Sequence, residues 1–219
     1  MDPIVSEIAK LPGVETHDYR PGELLLPTER LKGLHICVRD GALGLRLAVG
    51  RANHAILDVF GPGSLLAPQV WHATASSESR HAAALLRTTT LELSADAFDR
   101  QLGTRPPLAL AVASGDARQY AALLDRLAML ALRDPLRRVA SALLLLLDRI
   151  SHENGPSPAR LEMSQDLIAA FANLSRQTTN RQLRRLARAG LAGLERRVVD
   201  VRDLAALKSV AVGNRPAPR

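Results

Sequence analysis

The chain has 219 residues, 47% of them hydrophobic, so it can bury a core as one large or two modest domains. Its single cysteine, Cys37, excludes a disulfide within the chain and any iron-sulfur or metal site built from several of its own cysteines. The net charge of +7 is uneven: residues 160–219 hold 12 Lys and Arg against 5 Asp and Glu, whereas residues 1–159 hold 17 of each. A neutral body with a basic end is typical of a polyanion-binding module joined to a regulatory domain.

The N-terminal sequence MDPIVSEIAK lacks the basic and then apolar pattern of a secretion signal. The most apolar run, VASALLLLLDRI, is too short to span a bilayer and is flanked by charges. Together with the single cysteine, these features predict a soluble, cytoplasmic protein.

The first hundred residues predict an antiparallel β-roll or jelly roll over 1–106. Turn signals recur at short intervals, and several of the apolar segments between them alternate as half-buried strands do. The turn signals are LPG, RPGE, RDGA and FGPGS, and the strand segments are LHICV, LGLRLAV, AILDVF, AAALL and TTLELS.

After TRPP the pattern changes to that of a long helix, which we place over 107–133. Apolar residues there repeat at alternating spacings of three and four, which predicts a heptad seam against the same helix of a second subunit. The seam residues are Leu110, Ala113, Ala117, Tyr120, Leu124, Leu127 and Ala131. Leu123 and Leu130 form a second apolar edge, which we assign to the β-domain. The alternative is a helix buried within its own domain.

Residues 134–219 predict two helices joined by a tight turn, followed by a hairpin. Asp134 caps a helix with Pro135 in its first turn and an apolar face toward the core. That face consists of Leu136, Val139, Ala140, Leu143, Leu144, Leu147 and Ile150. SHENGPSPAR is predicted to be a loop. Ser164 caps QDLIAAFA, in which Ile168, Phe171 and Ala172 share a face, and Asn173 and Leu174 make the turn. A hairpin, LAGLERRVVDV, and a closing helix, DLAALKSVA, follow.

The helix after this turn carries five arginines and no acidic residue between 174 and 191. At about 100° per residue, Thr179, Leu183 and Leu186 face the preceding helix, and the opposite arc is polar. The polar arc consists of Arg176, Gln177, Asn180, Arg181, Arg184 and Arg188. Arginine matches two acceptors on guanine, and Gln or Asn can pair with adenine, so this arc suits duplex DNA.

The hairpin adds Arg196 and Arg197 at its tip, where a wing would meet phosphate. The complete predicted DNA-binding set is Ser175, Arg176, Gln177, Thr178, Asn180, Arg181, Arg184, Arg196 and Arg197. The alternatives are a solvated helix face and a winged-helix interaction module that binds an acidic protein partner.

The stretch MSQDLIAAFANLSRQTTNRQLRRLARAGLAGLERRVVDV resembles the winged helix-turn-helix of the Crp/Fnr transcription regulators. These carry a Ser-Arg-Glu-Thr-Val-x-Arg signature at the start of the recognition helix, which reads SRQTTNR here. The likeness extends to RPGELLL, GPGSLL and RRVASALLLL. It implies an α+β protein with a cyclic-nucleotide-binding-like β-roll (1–106), a dimerisation helix (107–133) and a DNA-binding domain (134–219).

The resemblance further implies a homodimer that binds double-stranded DNA at an inverted repeat, with RNA polymerase as a partner and no membrane association. Arg176 and Arg181 would read guanine edges and residue 177 a neighbouring base pair. Gln177 replaces the usual glutamate, and a carboxamide can favour adenine where a carboxylate favours cytosine. We therefore expect a half-site that differs from the familiar one.

Cyclic-AMP-binding members of the family use Gly-Glu for the ribose and Arg-Ser/Thr for the cyclic phosphate. Here Ala67 and Pro68 stand at the first pair and His81 follows Arg80, and a proline side chain accepts no hydrogen bond. We expect that cyclic AMP is not bound in the usual way and that no cofactor is required. The positions that could still contact an effector are Arg80, His81, Ser64, Leu123 and Leu124.

Haem is a further alternative, because one or two axial ligands suffice. The candidates are His35, Cys37, His54, His72 and His81, although most such residues fill cores or lie on surfaces. A metal-dependent β-roll enzyme of the cupin type would need clustered histidines, whereas the six histidines here are scattered. We therefore predict no metal site and no enzymatic activity.

Overall fold

The computed structural model describes residues 2–25, 28–49, 53–72, 80–150 and 159–214. The chain divides into two compact units, Met1–Ala121 and Ala122–Arg219, and the division falls within the longest helix. Among the described residues, no helix is both long enough and apolar enough to cross a membrane.

The N-terminal unit contains two antiparallel sheets and several short helices. Its elements are α1 (Pro3–Ile8), β1 (Glu15–Tyr19), α2 (Thr28–Leu31), β2 (Leu34–Asp40), β3 (Leu43–Val49), β4 (Asn53–Phe60), β5 (Leu65–Leu66), α3 (Gln69–His72), β6 (Arg80–Ala84), β7 (Thr88–Ser94), α4 (Ala95–Leu102) and the start of α5 (Pro106–Ala131). One sheet has the order β1-β7-β2-β5 and the other β4-β3-β6. The predicted β-roll is confirmed.

A first core lies between the two sheets. Ile36 and Val38 of one sheet and Leu43 and Leu45 of the other belong to one buried cluster with Trp71. Alternate residues of each strand face this cluster, as the alternating sequence pattern requires.

A second core covers the opposite face of the first sheet and includes two helices, α1 and α4, that the sequence analysis did not predict. Cys37 of β2 packs there with Ile4 of α1, Phe98 of α4 and Leu108 of α5. Helix α1 has a readable signal, because Asp2 caps it and accepts a hydrogen bond from the Ile4 amide at 2.9 Å. The side of α5 that packs on this sheet begins at Leu108.

The prediction of a single long helix is confirmed. The prediction that its second apolar edge packs on the β-domain is wrong. The helix residues that join the second core are Leu108, Ala111 and Val112. The predicted edge was Leu123 and Leu130, and Leu123 is 39% exposed. The first turns of α5 therefore pack in the core of the N-terminal unit.

The C-terminal unit continues from the end of α5 through helices around a small sheet. Its elements are α6 (Pro135–Ile150), β8 (Ala159–Leu161), α7 (Gln165–Ala172), α8 (Arg176–Arg188), β9 (Ala192–Glu195), β10 (Val198–Val201) and α9 (Leu204–Val212). The sheet order is β8-β10-β9, all antiparallel. Strand β8 begins at Ala159, inside the segment that we predicted to be a loop.

The predicted capping residues of this unit are confirmed. Asp134 accepts from the Leu136 amide at 2.9 Å, and Ser164 accepts from the Leu167 amide at 3.3 Å. The predicted inner face of α6 needs a small correction. Leu144 and Ile150 are partly exposed, whereas Ala142 and Leu146 are buried in addition to the others.

Candidate nucleic-acid interface

Helices α7 and α8 are joined by a short turn whose geometry follows from two residues. Asn173 adopts the left-handed conformation (φ 51°, ψ 50°), and the Leu174 amide bonds back to the Ala169 carbonyl at 3.0 Å, as in a Schellman motif. Ser175 then caps α8 by accepting from the Thr178 amide at 3.1 Å. Asparagine tolerates the left-handed region better than most residues, so it can replace glycine here.

The inner face of α8 anchors the helix in the unit. Thr179, Leu183 and Leu186 are fully buried, as predicted. Gln182 is also buried, which the sequence analysis missed, and its Oε1 accepts from Arg185 Nη1 at 2.9 Å. Its position, three residues after Thr179 and four before Leu186, is the signal that could have identified it.

The outer face of α8 is exposed and basic. The exposed side chains of the predicted arc are Arg176, Gln177, Arg181, Arg184 and Arg188. None of the 13 residues of α8 is acidic. Thr178 is partly buried, and its Oγ1 accepts from Ser175 Oγ at 2.9 Å.

Two residues of the predicted arc are held by the first turn of α7. The Arg176 Nε atom lies 3.0 Å from Asp166 Oδ1 in an exposed ion pair. Asn180 is partly buried, and its amide donates to Gln165 Oε1. Asn180 thus links α8 to α7 through this hydrogen bond, and the sequence analysis did not predict the link.

The hairpin of β9 and β10 presents Arg196 and Arg197 at its tip, and both are exposed. Glu195 and Val198 pair across the strands, so these two arginines form the connecting loop. Arg197 has φ 63°, a conformation that costs a non-glycine residue about 1 kcal/mol. A glycine would relieve that cost but would remove the charge.

The predicted seam on α5 is open in the single chain. All seven of its residues are exposed. The large ones are Leu110 (70% exposed), Tyr120 (64%), Leu124 (48%) and Leu127 (54%). The alternative of a helix buried on all sides within its own domain is therefore excluded for this face.

The C-terminal turns of α5 also contribute buried residues to the C-terminal unit. Arg126 is 4% exposed, and its guanidinium carbon lies 4.1 Å from the centre of the Phe171 ring of α7. Such a cation–π contact is stronger when the cation is removed from water. Sequence reasoning missed this residue because it lies beside the apolar seam and reads as a solvated charge.

The residues at the predicted effector positions of the β-roll make hydrogen bonds to neighbouring residues. Val70 and Trp71 of α3 donate backbone hydrogen bonds to the Ala67 and Pro68 carbonyls, both at 3.0 Å. Arg80 Nη1 donates to the Val70 carbonyl at 3.4 Å. Ser64 lies in a turn, with its amide 3.0 Å from the Gly61 carbonyl.

The remaining effector candidates differ in exposure. His81 is partly buried, and Leu124, like Leu123, lies on the exposed surface of α5. The structure therefore places Arg80 against α3, whereas the side chains of Leu123 and Leu124 are exposed to solvent.

Among the haem candidates that the structure describes, His35 and Cys37 are buried and His81 is partly buried. His35 stacks on Phe98 with ring centres 4.0 Å apart, and burial lowers its pKa. Burial also raises the pKa of the Cys37 thiol to about 12, so the reactive thiolate is disfavoured at neutral pH. The side chains of His54 and His72 lie outside the described residues. Within the described ranges, no three His, Cys, Asp or Glu residues are grouped so that they could hold a metal ion.

The helix pair with a basic outer helix, followed by a hairpin with a basic tip, defines a winged helix-turn-helix protein. Residues 137–210 match the family model of the Crp-like helix-turn-helix domain. No curated protein sequence matches the chain.

Solved structures with the same fold cover nearly the whole chain. A CRP-family transcriptional regulator from Thermus thermophilus is 20% identical with a TM-score of 0.73, over 93% of this chain and 98% of that one. FixK2 from Bradyrhizobium japonicum is 18% identical with a TM-score of 0.69, over 90% and 96%. A cyclic nucleotide-binding domain containing protein from Listeria monocytogenes is 14% identical with a TM-score of 0.75, over 94% and 98%.

The chain therefore has the fold of the Crp/Fnr transcription regulators and carries a Crp-like helix-turn-helix domain at its C-terminal end. The resemblance inferred from SRQTTNR and the domain order is confirmed.

Proposed function

We propose that the protein is a Crp/Fnr-type transcription regulator that binds double-stranded DNA sequence-specifically, as a homodimer, at an inverted repeat. The observation that carries the proposal is the exposed, acid-free outer face of α8, which is anchored by a buried inner face and flanked by the basic hairpin tip. A helix held in this way can enter the major groove without rearranging its own unit.

The charged residues of this surface have two roles in the proposal. Arg176, Gln177 and Arg181 lie in the first turns of α8, the part that meets base edges, and they discriminate between sequences. Arg196 and Arg197 contact phosphates, which raises affinity for any duplex and makes binding depend on salt.

The dimer is supported by the exposed seam on α5. Its apolar side chains recur at heptad spacing, and two copies would cover one another along the helix. A twofold axis would then place two α8 helices in successive major grooves, about 34 Å apart.

The effector side of the proposal is that cyclic AMP does not control this protein through the usual cassette. Pro68 has no side-chain acceptor for a ribose hydroxyl, and Arg80 already contacts the backbone of α3. We further propose RNA polymerase as a partner of the DNA-bound dimer, since the fold is that of transcription regulators.

The direct test is the selection of bound sites from a random duplex library by wild-type protein and by Arg176→Ala. We expect wild type to enrich an inverted repeat, and Arg176→Ala to lose preference at one base pair per half-site, with a cost of about 1–3 kcal/mol on the wild-type site. Arg160→Ala is the matched control, since it removes an exposed arginine of β8 that pairs with Glu162.

Two results would overturn the proposal. One is the absence of duplex binding at low salt. The other is the same loss of preference in Arg160→Ala as in Arg176→Ala. Binding of an acidic protein without DNA binding would favour the interaction-module alternative.

A further inference from the structure

The first turn of α7 holds an acidic side chain against the basic surface. Asp166 is 59% exposed, and its Oδ1 lies 3.0 Å from Nε of Arg176, the first residue of α8. A carboxylate at this place repels DNA phosphates, so it lowers the affinity for duplex of any sequence. Its contact with Arg176 therefore needs a different explanation from overall affinity.

The geometry of the pair restricts how Arg176 can present its donors. A guanidinium group has one N–H on Nε and two on each Nη atom. With Nε held beside Asp166, the Nη atoms at the end of the side chain are the donors that we assign to a base pair. These two atoms are 'fork' donors that match the O6 and N7 acceptors of one guanine.

A second contact also joins the first turn of α7 to the outer arc of α8. Gln165, next to Asp166, accepts from the Asn180 amide one turn further along α8. Successive residues of α7 thus hold two residues of the outer arc of α8. Side chains that are ordered before binding lose less conformational entropy on binding and discriminate better between ligands.

We propose that Asp166 is a positioning residue that sets the direction in which Arg176 meets a base pair, and is thereby a determinant of sequence specificity. The inference rests on the proposed DNA-binding function. It assigns specificity to a residue on the first helix of the pair, which itself need not touch a base.

The alternative role of Asp166 is local. An acidic residue in the first turn of a helix stabilises the helix by interaction with its dipole. That role predicts a change in stability with no effect on sequence preference, so the two roles are separable by measurement.

The experiment is a double-mutant cycle on the full-length protein, with the site that wild type selects and the same site changed at the base pair that Arg176→Ala affects. The measured quantity is the ratio of the dissociation constant for the changed site to the dissociation constant for the selected site. We expect Asp166→Ala to lower this ratio about two- to fivefold, the range that an exposed ion pair can supply. In the Arg176→Ala background, Asp166→Ala should leave the ratio unchanged.

Two further variants separate charge from positioning. Glu162→Ala removes an exposed carboxylate that pairs with Arg160, and it should raise affinity for random duplex without changing the ratio. Asp166→Asn keeps an acceptor oxygen but loses the charge, and it should retain more of the ratio than Asp166→Ala. Thermal unfolding of each variant checks that the fold is kept.

The outcomes distinguish this inference from the proposed function. If Arg176→Ala changes the ratio and Asp166→Ala does not, Asp166 has no positioning role, and the DNA-binding proposal stands. An equal effect of Asp166→Ala in both backgrounds also overturns the inference. If wild type binds all duplexes equally or binds none, both proposals fail.

Discussion

The dimer proposal predicts a large effect from a small change on α5. Leu127 is 54% exposed in the single chain, and full burial of a leucine side chain contributes about 1.5–3 kcal/mol. Covering the exposed half in an interface therefore contributes roughly 1 kcal/mol per copy and about 2 kcal/mol per dimer. Leu127→Ala removes most of this and should raise the dimer dissociation constant about 10- to 30-fold.

The assay is sedimentation equilibrium over a range of protein concentrations, with unfolding followed in parallel. Because Leu127 is largely exposed in the monomer and alanine is a good helix former, the monomer should unfold as wild type does. Leu204→Ala is the matched control, since Leu204 is 38% exposed on α9 and does not belong to the seam. A monomeric wild type, or equal dissociation constants for Leu127→Ala and Leu204→Ala, would refute the reasoning.

Three further predictions concern single side chains. Burial lowers the pKa of His35 below the ordinary 6.5, so the unfolded state binds the proton more tightly and the free energy of unfolding should fall as pH is lowered from 7 to 5. His35→Leu should flatten that dependence in denaturant titrations. Thr179 Oγ1 is buried with no hydrogen-bond partner among the described residues, so Thr179→Val should raise the free energy of unfolding by about 1 kcal/mol, and a decrease would contradict this. Arg197→Gly should relieve left-handed strain and stabilise the protein by about 0.5–1 kcal/mol, while the salt slope of duplex binding falls by about 1; an unchanged slope would remove Arg197 from phosphate contact.

The features that the sequence predicted correctly depend on neighbours within a few residues. Asp134 and Ser164 cap helices through hydrogen bonds that span two and three residues, and Asn173 makes its turn through its own backbone conformation. The inner face of α8 follows from helical periodicity alone. These signals are local, so one sequence is enough to read them.

The features that the sequence analysis missed depend on contacts between elements. Strand β8 has three residues with little strand character, and it exists because Leu161 pairs with Val199, 38 positions further on. The Asp166–Arg176 pair needs the first turns of α7 and α8 to lie side by side, which periodicity within one helix does not specify. The candidate site was thus predictable as a surface, whereas the contacts that order its side chains were not.

Arg126 and the dimer seam occupy the same turns of α5, on different sides of the helix. Leu124 and Leu127 are exposed, while Arg126 and Met129 are buried, and Arg126 lies over the Phe171 ring of α7. If α5 pairs with a second copy, this contact fixes the helix-turn-helix relative to the twofold axis. The spacing of the two recognition helices then depends on it.

Arg126→Lys should therefore weaken binding to an inverted repeat more than binding to a single half-site. Lysine keeps the charge but loses the planar group that stacks on an aromatic ring, and the expected cost in stability is about 1 kcal/mol. Dissociation constants for the two duplexes, measured by fluorescence anisotropy, give the comparison, with Arg133→Lys as an exposed control just beyond α5. Equal weakening on both duplexes would show that the contact stabilises the C-terminal unit without setting the spacing of the recognition helices.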